Sequence, residues 1–141
     1  MGFRRVELGI KLVARAEYDS DLIKFITALA KNNGITTATF TVIGALKNAK
    51  LGFYDQERQG YSETLLLAPQ EIASCTGNIS LKEGTPFIHA HAVLADGNGN
   101  TKAGHLLEGK VFAAEIHLAE LLGTELERKN DLVTGLSLWD I

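Results

Sequence analysis

The chain has 141 residues, 45% hydrophobic and 22% charged, with a formal net charge of −3. That length suits one domain with one sizeable core, expected here over residues 1–141. No apolar run approaches membrane-helix length, no apolar signal region follows Arg4-Arg5, and the scattered Lys and Arg form no dense basic stripe; the expectation is a cytoplasmic protein without membrane contact, and charge argues against non-specific DNA binding.

In chain order, Arg5 to Arg15 alternates apolar and polar residues and reads as a strand. One strong helix signal follows. Asp19 or Ser20 can cap it, Leu22, Ile23, Phe25, Ile26, Leu29 and Ala30 form its apolar stripe, and Asn32-Asn33-Gly34 stops it. Everything after Gly34 reads as predominantly β. Ile35 to Leu46 is a strand rich in β-branched residues, and Lys50 to Tyr54 can pair with it through a short turn. Tyr61 to Leu67 precedes Pro69, which limits where a central strand can run. Glu71 to Leu81 and Thr85 to Ala95 flank the turn Lys82-Glu83-Gly84.

Gly104 to Leu107 and Lys110 to Leu118 are further strands, with Gly109 marking a bulge between them. His117 to Leu126 can extend a strand or form a short helix, and Val133 to Leu138 is a last short strand. The fold class is therefore α+β: a large, mainly antiparallel β-sheet packed with one principal helix. So much sheet beside one helix leaves apolar surface to cover, which implies self-association.

All four histidines fall between positions 89 and 117. His89 and His91, two apart on a strand, project from the same face. The run Asp96-Gly97-Asn98-Gly99-Asn100 is a string of turn formers. If that turn is centred on Asn98, His91 lies opposite His105 and His89 is the diagonal neighbour. An even-length loop would send His105 to the other face. Neutral imidazoles suit zinc and related divalent transition metals, and three of them leave a position for water or a small ligand. His89, His91 and His105 are the candidate metal ligands, weighed against satisfied histidines that merely share a sheet face. Glu115 and His117 form a second same-face pair, with Glu115 the candidate proton shuttle.

Other motifs carry less. The single cysteine, Cys75, excludes an intramolecular disulfide and reads as a buried, inert thiol. Asp96 reads as a turn former. Ser62, Ser74 and Ser80 lack a nucleophile-elbow pattern, and Gly97-x-Gly99 precedes no helix and is no nucleotide fingerprint.

Several segments, in order, resemble the PPC (plants and prokaryotes conserved) domain, a family also described as DNA-binding. They are Ile43-Gly44-Ala45-Leu46-Lys47-Asn48-Ala49-Lys50-Leu51-Gly52-Phe53-Tyr54-Asp55, Gly77-Asn78-Ile79-Ser80, Pro86-Phe87-Ile88-His89-Ala90-His91, Gly104-His105-Leu106 and Val111 through Glu115. The resemblance implies an α+β sheet domain that forms a homotrimer. Plant members add an Arg-Gly-Arg-Pro AT-hook for the minor groove, which this chain lacks. They also carry a partner-contact stretch whose arginine and phenylalanine are missing from Pro69 to Gly77 here. The fold is similar as well to acetolactate decarboxylase, a zinc enzyme, whose ligands would map onto His89, His91 and His105. Two expectations follow: a zinc-binding protein open to a small-molecule ligand, or an oligomeric DNA-binding or regulatory module without catalysis. Whether the chain is an enzyme is left open by its residues.

Overall fold

A computed structural model describes residues 2–141. Its elements are β1 (Glu7–Ala16), α1 (Leu22–Asn32), β2 (Ala38–Asp55), β3 (Gly60–Leu66), β4 (Gln70–Lys82), β5 (Thr85–Ala95), β6 (Thr101–Leu122), β7 (Arg128–Asn130) and β8 (Ser137–Trp139). The expected class holds, since one helix packs on a large antiparallel sheet. The six strands β1 to β6 run in the order β1-β6-β5-β4-β2-β3, and β6 pairs with β2 as well. That extra pairing closes β2, β4, β5 and β6 into a ring, leaving only β1 and β3 as edges. The separate ribbon β7-β8 is tied to the ring where Leu81 N–H donates to the Leu126 carbonyl at 2.8 Å.

Alternation along the strands decides what fills the ring. Phe40, Val42, Leu46, Ile72, Cys75, Ile79, Ala92, Leu94, Val111 and Ile116 point inward and are almost fully buried. Leu22, Ile26 and Ala30, the buried stripe of α1, belong to the same core. Burying a Leu or Ile side chain stabilises by about 1.5–3 kcal/mol, so this one cluster dominates cohesion.

Several boundaries differ from those read in the sequence. The cap of α1 is Asp21, not Asp19 or Ser20: its Oδ1 accepts from Lys24 N–H at 2.9 Å and its Oδ2 from Gly109 N–H at 3.0 Å. Asp19 is instead held by Lys47 at 2.7 Å, and the Ser20 hydroxyl donates to the Glu17 carbonyl. Ile35 to Leu46 and Lys50 to Tyr54 do not pair as a hairpin, because Ala38 to Leu46 and Lys50 to Tyr54 run on in the one continuous strand β2. A slip in register against β6 falls at Lys47, and the strand runs on through it. Gly44, at φ +134°, accepts a slip in register where a Cβ would collide with the Ala113 carbonyl.

Gly109 is no bulge either, since it sits in regular register opposite Ala49. The slips of β6 fall beside it, at Leu107 and Phe112, and the strand runs unbroken to Leu122. The last strand is Ser137–Trp139 rather than Val133 to Leu138, because Asp131 to Leu136 form a loop in which Asp131 accepts from Thr134.

Candidate metal centre

The loop from Asp96 to Asn100 has five residues, and His91 pairs with His105 across it. Asp96 organises the turn. Its carboxylate accepts from the backbone N–H groups of Asn98 and Asn100 at 2.9 and 3.0 Å, as befits a turn former. The odd loop keeps the three imidazoles on one face. Their ring centroids lie 4.3–5.1 Å apart, and a nitrogen from each falls within 4.8 Å of the others. His89 Nε2 and His91 Nε2 are 3.2 Å apart. Two nitrogens on a tetrahedral metal at about 2.0–2.1 Å stand roughly 3.3–3.4 Å from each other, so this edge already has the right length. The donor set fits a divalent transition metal of the zinc type.

The electrostatics favour the neutral, ligating form. Burial, then the Arg128 charge, then His105 and His91 depress His89 to about 4. Burial and His91 lower His105 as well. An acid prediction follows. With a folded value below the ordinary 6.5, His89 binds fewer protons in the folded state than in the unfolded one. Its contribution is complete above pH 6.5 and disappears as pH falls toward 4. Screening at this half-open position limits the effect to roughly 1–2 kcal/mol. Chemical denaturation of metal-free protein at pH 7 and pH 4.5 measures it, and His89→Gln should flatten the difference.

Two residues that sequence reasoning passed over frame the centre. Arg128, nearly buried, donates from Nε to Ser80 Oγ at 2.7 Å, from Nη1 to the Ser137 carbonyl at 2.8 Å and from Nη2 to Asn78 Oδ1 at 3.0 Å. Nη2 also lies 3.5 Å from His89 Nδ1, and the guanidinium sits between the rings of Phe87 and Trp139. In the sequence it belongs to the run Glu127-Arg128-Lys129-Asn130, which looks like a solvated surface. Tyr61 reaches in from β3, with its ring edge-to-face against His105. Nothing in the local sequence marks it.

A cleft of about 780 Å³ opens beside His89 and His91 on the outer face of the sheet. Val13, His117, Thr41, Thr76 and His91 form one transverse row of register partners across β1, β6, β2, β4 and β5. His117 therefore lines the cleft too, three strand spacings or about 14 Å from His91. Glu115 does not line it. It opens with Val13, Arg15 and His117 on a neighbouring shallow depression. Cys75 is buried and its thiol pushed up to about 11, so it stays protonated and inert.

Fold and site together define a closed-sheet α+β protein with a three-histidine candidate metal centre. The chain belongs to the Plants and Prokaryotes Conserved (PCC) domain family, whose model matches residues 4–122. A metal-containing protein from Archaeoglobus fulgidus is 38% identical, with 99% of each chain covered and a TM-score of 0.95. A plant- and prokaryote-conserved protein from Pyrococcus horikoshii is 40% identical over 100% of this chain and 98% of its own, also at 0.95. A Ralstonia eutropha JMP134 protein provisionally described as DNA-binding is 28% identical over 92% of this chain and 90% of its own, at 0.82. A Staphylococcus aureus protein similar to α-acetolactate decarboxylase shares the fold alone: 13% identity, TM-score 0.52, 86% of this chain and 55% of that one. No curated protein matches the sequence.

Proposed function

We propose that this is a metal-binding protein whose His89, His91 and His105 hold zinc, or another divalent transition metal, with a position left for water or a small ligand. The 3.2 Å separation of His89 Nε2 and His91 Nε2, at the end of a hairpin that puts His105 beside them, carries the reading. The metal-containing Archaeoglobus relative supports it. Held by these three histidines, a divalent ion would supply Lewis acidity to a bound carbonyl or carboxylate oxygen or to a bound water. The chain's own residues supply the rest: burial keeps His89 neutral, and Arg128 braces the wall behind it. At about 14 Å from His91, His117 lies beyond hydrogen-bond reach of the centre, and Glu115 opens on the neighbouring depression, so a proton would reach either only along water in the cleft.

The exposed Leu8, Ile10 and Val13 lie on the edge strand β1, and the outer face also carries the exposed Ile43 on β2 and Val93 on β5. A homotrimer would cover them, giving a mass three times the 15.3 kDa of the chain. Elemental analysis of purified protein combined with light scattering tests both parts. About one metal per chain is expected, and substoichiometric metal in wild type as well as in a His89→Ala/His91→Ala variant sinks the metal reading. A non-catalytic DNA-binding module is the second reading, supported by the description of the Ralstonia relative. Absence of DNA binding at low salt, where phosphate contacts are strongest, removes it.

A further inference from the structure

Tyr61 is placed to touch whatever the three histidines hold. Its hydroxyl lies 3.4 Å from His105 Nε2, long for an O–H···N bond and its only side-chain hydrogen-bond contact among the described residues. The ring is fixed from both sides. It meets His105 edge-to-face at 5.2 Å and Tyr54 edge-to-face at 5.1 Å, and the Tyr54 hydroxyl is itself anchored on the Thr134 carbonyl at 2.5 Å. Tyr61 stands on β3 and His105 on β6, with β2 between them. What lets the ring lie across β2 is Gly52, the register partner of His105. A Cβ there would come within 3.3 Å of Tyr61 Cδ1 and 3.0 Å of Leu107 Cδ1.

A hydroxyl beside an imidazole nitrogen changes role when that nitrogen ligates a metal. The lone pair it faced is then occupied, and its proton must find another acceptor. We infer that the Tyr61 hydroxyl donates a hydrogen bond to an oxygen of a small carboxylate ligand bound at the His89–His91–His105 centre. This rests on the metal reading above. The anionic class follows from the charge around the site: Arg128 lies behind His89 with neutral partners, Ser80, Asn78 and Ser137, and no carboxylate contacts it among the described residues. A neutral histidine set plus an uncompensated guanidinium leaves the centre in need of negative charge.

The test uses cobalt(II)-substituted full-length protein, its visible spectrum titrated with acetate and, separately, with 2-mercaptoethanol. Acetate presents an oxygen to Tyr61, whereas the thiolate binds through sulfur, a weak acceptor. Tyr61→Phe is expected to keep the cobalt stoichiometry of wild type and to weaken acetate about tenfold, leaving the thiol titration unchanged. Tyr18→Phe, whose lost hydroxyl accepts only from Lys47 at 3.1 Å, should leave both titrations close to wild type. Acetate affinity within twofold of wild type in Tyr61→Phe overturns the inference, as does an equal loss for both ligands. Wild-type protein that takes up no cobalt overturns the metal reading itself, and that result is distinct from either.

Discussion

Replacing His91 with alanine is expected to abolish stoichiometric metal binding while leaving the fold intact. His91 is exposed and packs into no core, so the cost to the metal-free protein should stay within about 0.5 kcal/mol. The cost to the metal is far larger. Losing a group that only orients a ligand weakens metal binding about 10–100-fold, and losing one of three ligands should exceed that, on the order of 1000-fold. Stability provides an independent readout. Free metal at about 1000 times its Kd stabilises the folded state by about 4 kcal/mol. Wild type should gain that much from zinc and lose it to a chelator, whereas His91→Ala should show neither change. Isothermal titration with zinc and thermal melts with and without chelator measure the two effects. A variant that still gained several degrees from zinc would place the metal elsewhere.

Gly77→Ala should be the most damaging single methyl that can be added near the site. A Cβ at Gly77 would stand 2.5 Å from the His89 carbonyl oxygen and closer still to the Phe40 ring. Phe40 is buried at 3% exposure, and the carbonyl is backbone in the middle of a sheet, so neither can yield cheaply. Overpacking of this kind costs about 3 kcal/mol, or roughly 10 °C in Tm for a chain of this size. The displaced strand is the one that carries His89, so zinc affinity should fall along with stability. Gly97→Ala is the matched control, because a Cβ there meets nothing within 4 Å. Its melt should be indistinguishable from wild type. If Gly77→Ala melted like Gly97→Ala, the close approach of Phe40 to this position would be wrong.

How much of this could be read from the sequence depended on whether the signal was local. The pairing of His91 with His105 was legible because both determinants, the period of two and the turn formers between Asp96 and Asn100, lie within one hairpin. The apolar stripe of α1 was legible for the same reason. The cap was not, since Asp19, Ser20 and Asp21 are all capable of it and the choice is made by Lys47 and Gly109, distant in sequence. Strands β2 and β6 each read as two pieces in the sequence, because the polar Lys47-Asn48 step and Gly109 look like punctuation yet sit inside continuous strands. Tyr61 and Arg128 were invisible. Their neighbours are set by the closure of the ring and by the return of the C-terminal ribbon, which no local pattern encodes.

The two slips of β6 have a joint consequence. Its core-facing positions are even at Leu106, odd at Gly109 and Val111, and even again at Ala114, Ile116 and Leu118. Each slip reverses the parity of the strand, and two reversals cancel. Only because they come as a pair can His105 and His117 face the same side while Val111 between them stays in the core. The segment is thus a phase-matched spacer, whose odd and even residues would trade solvent for core if a single residue were gained or lost anywhere within it.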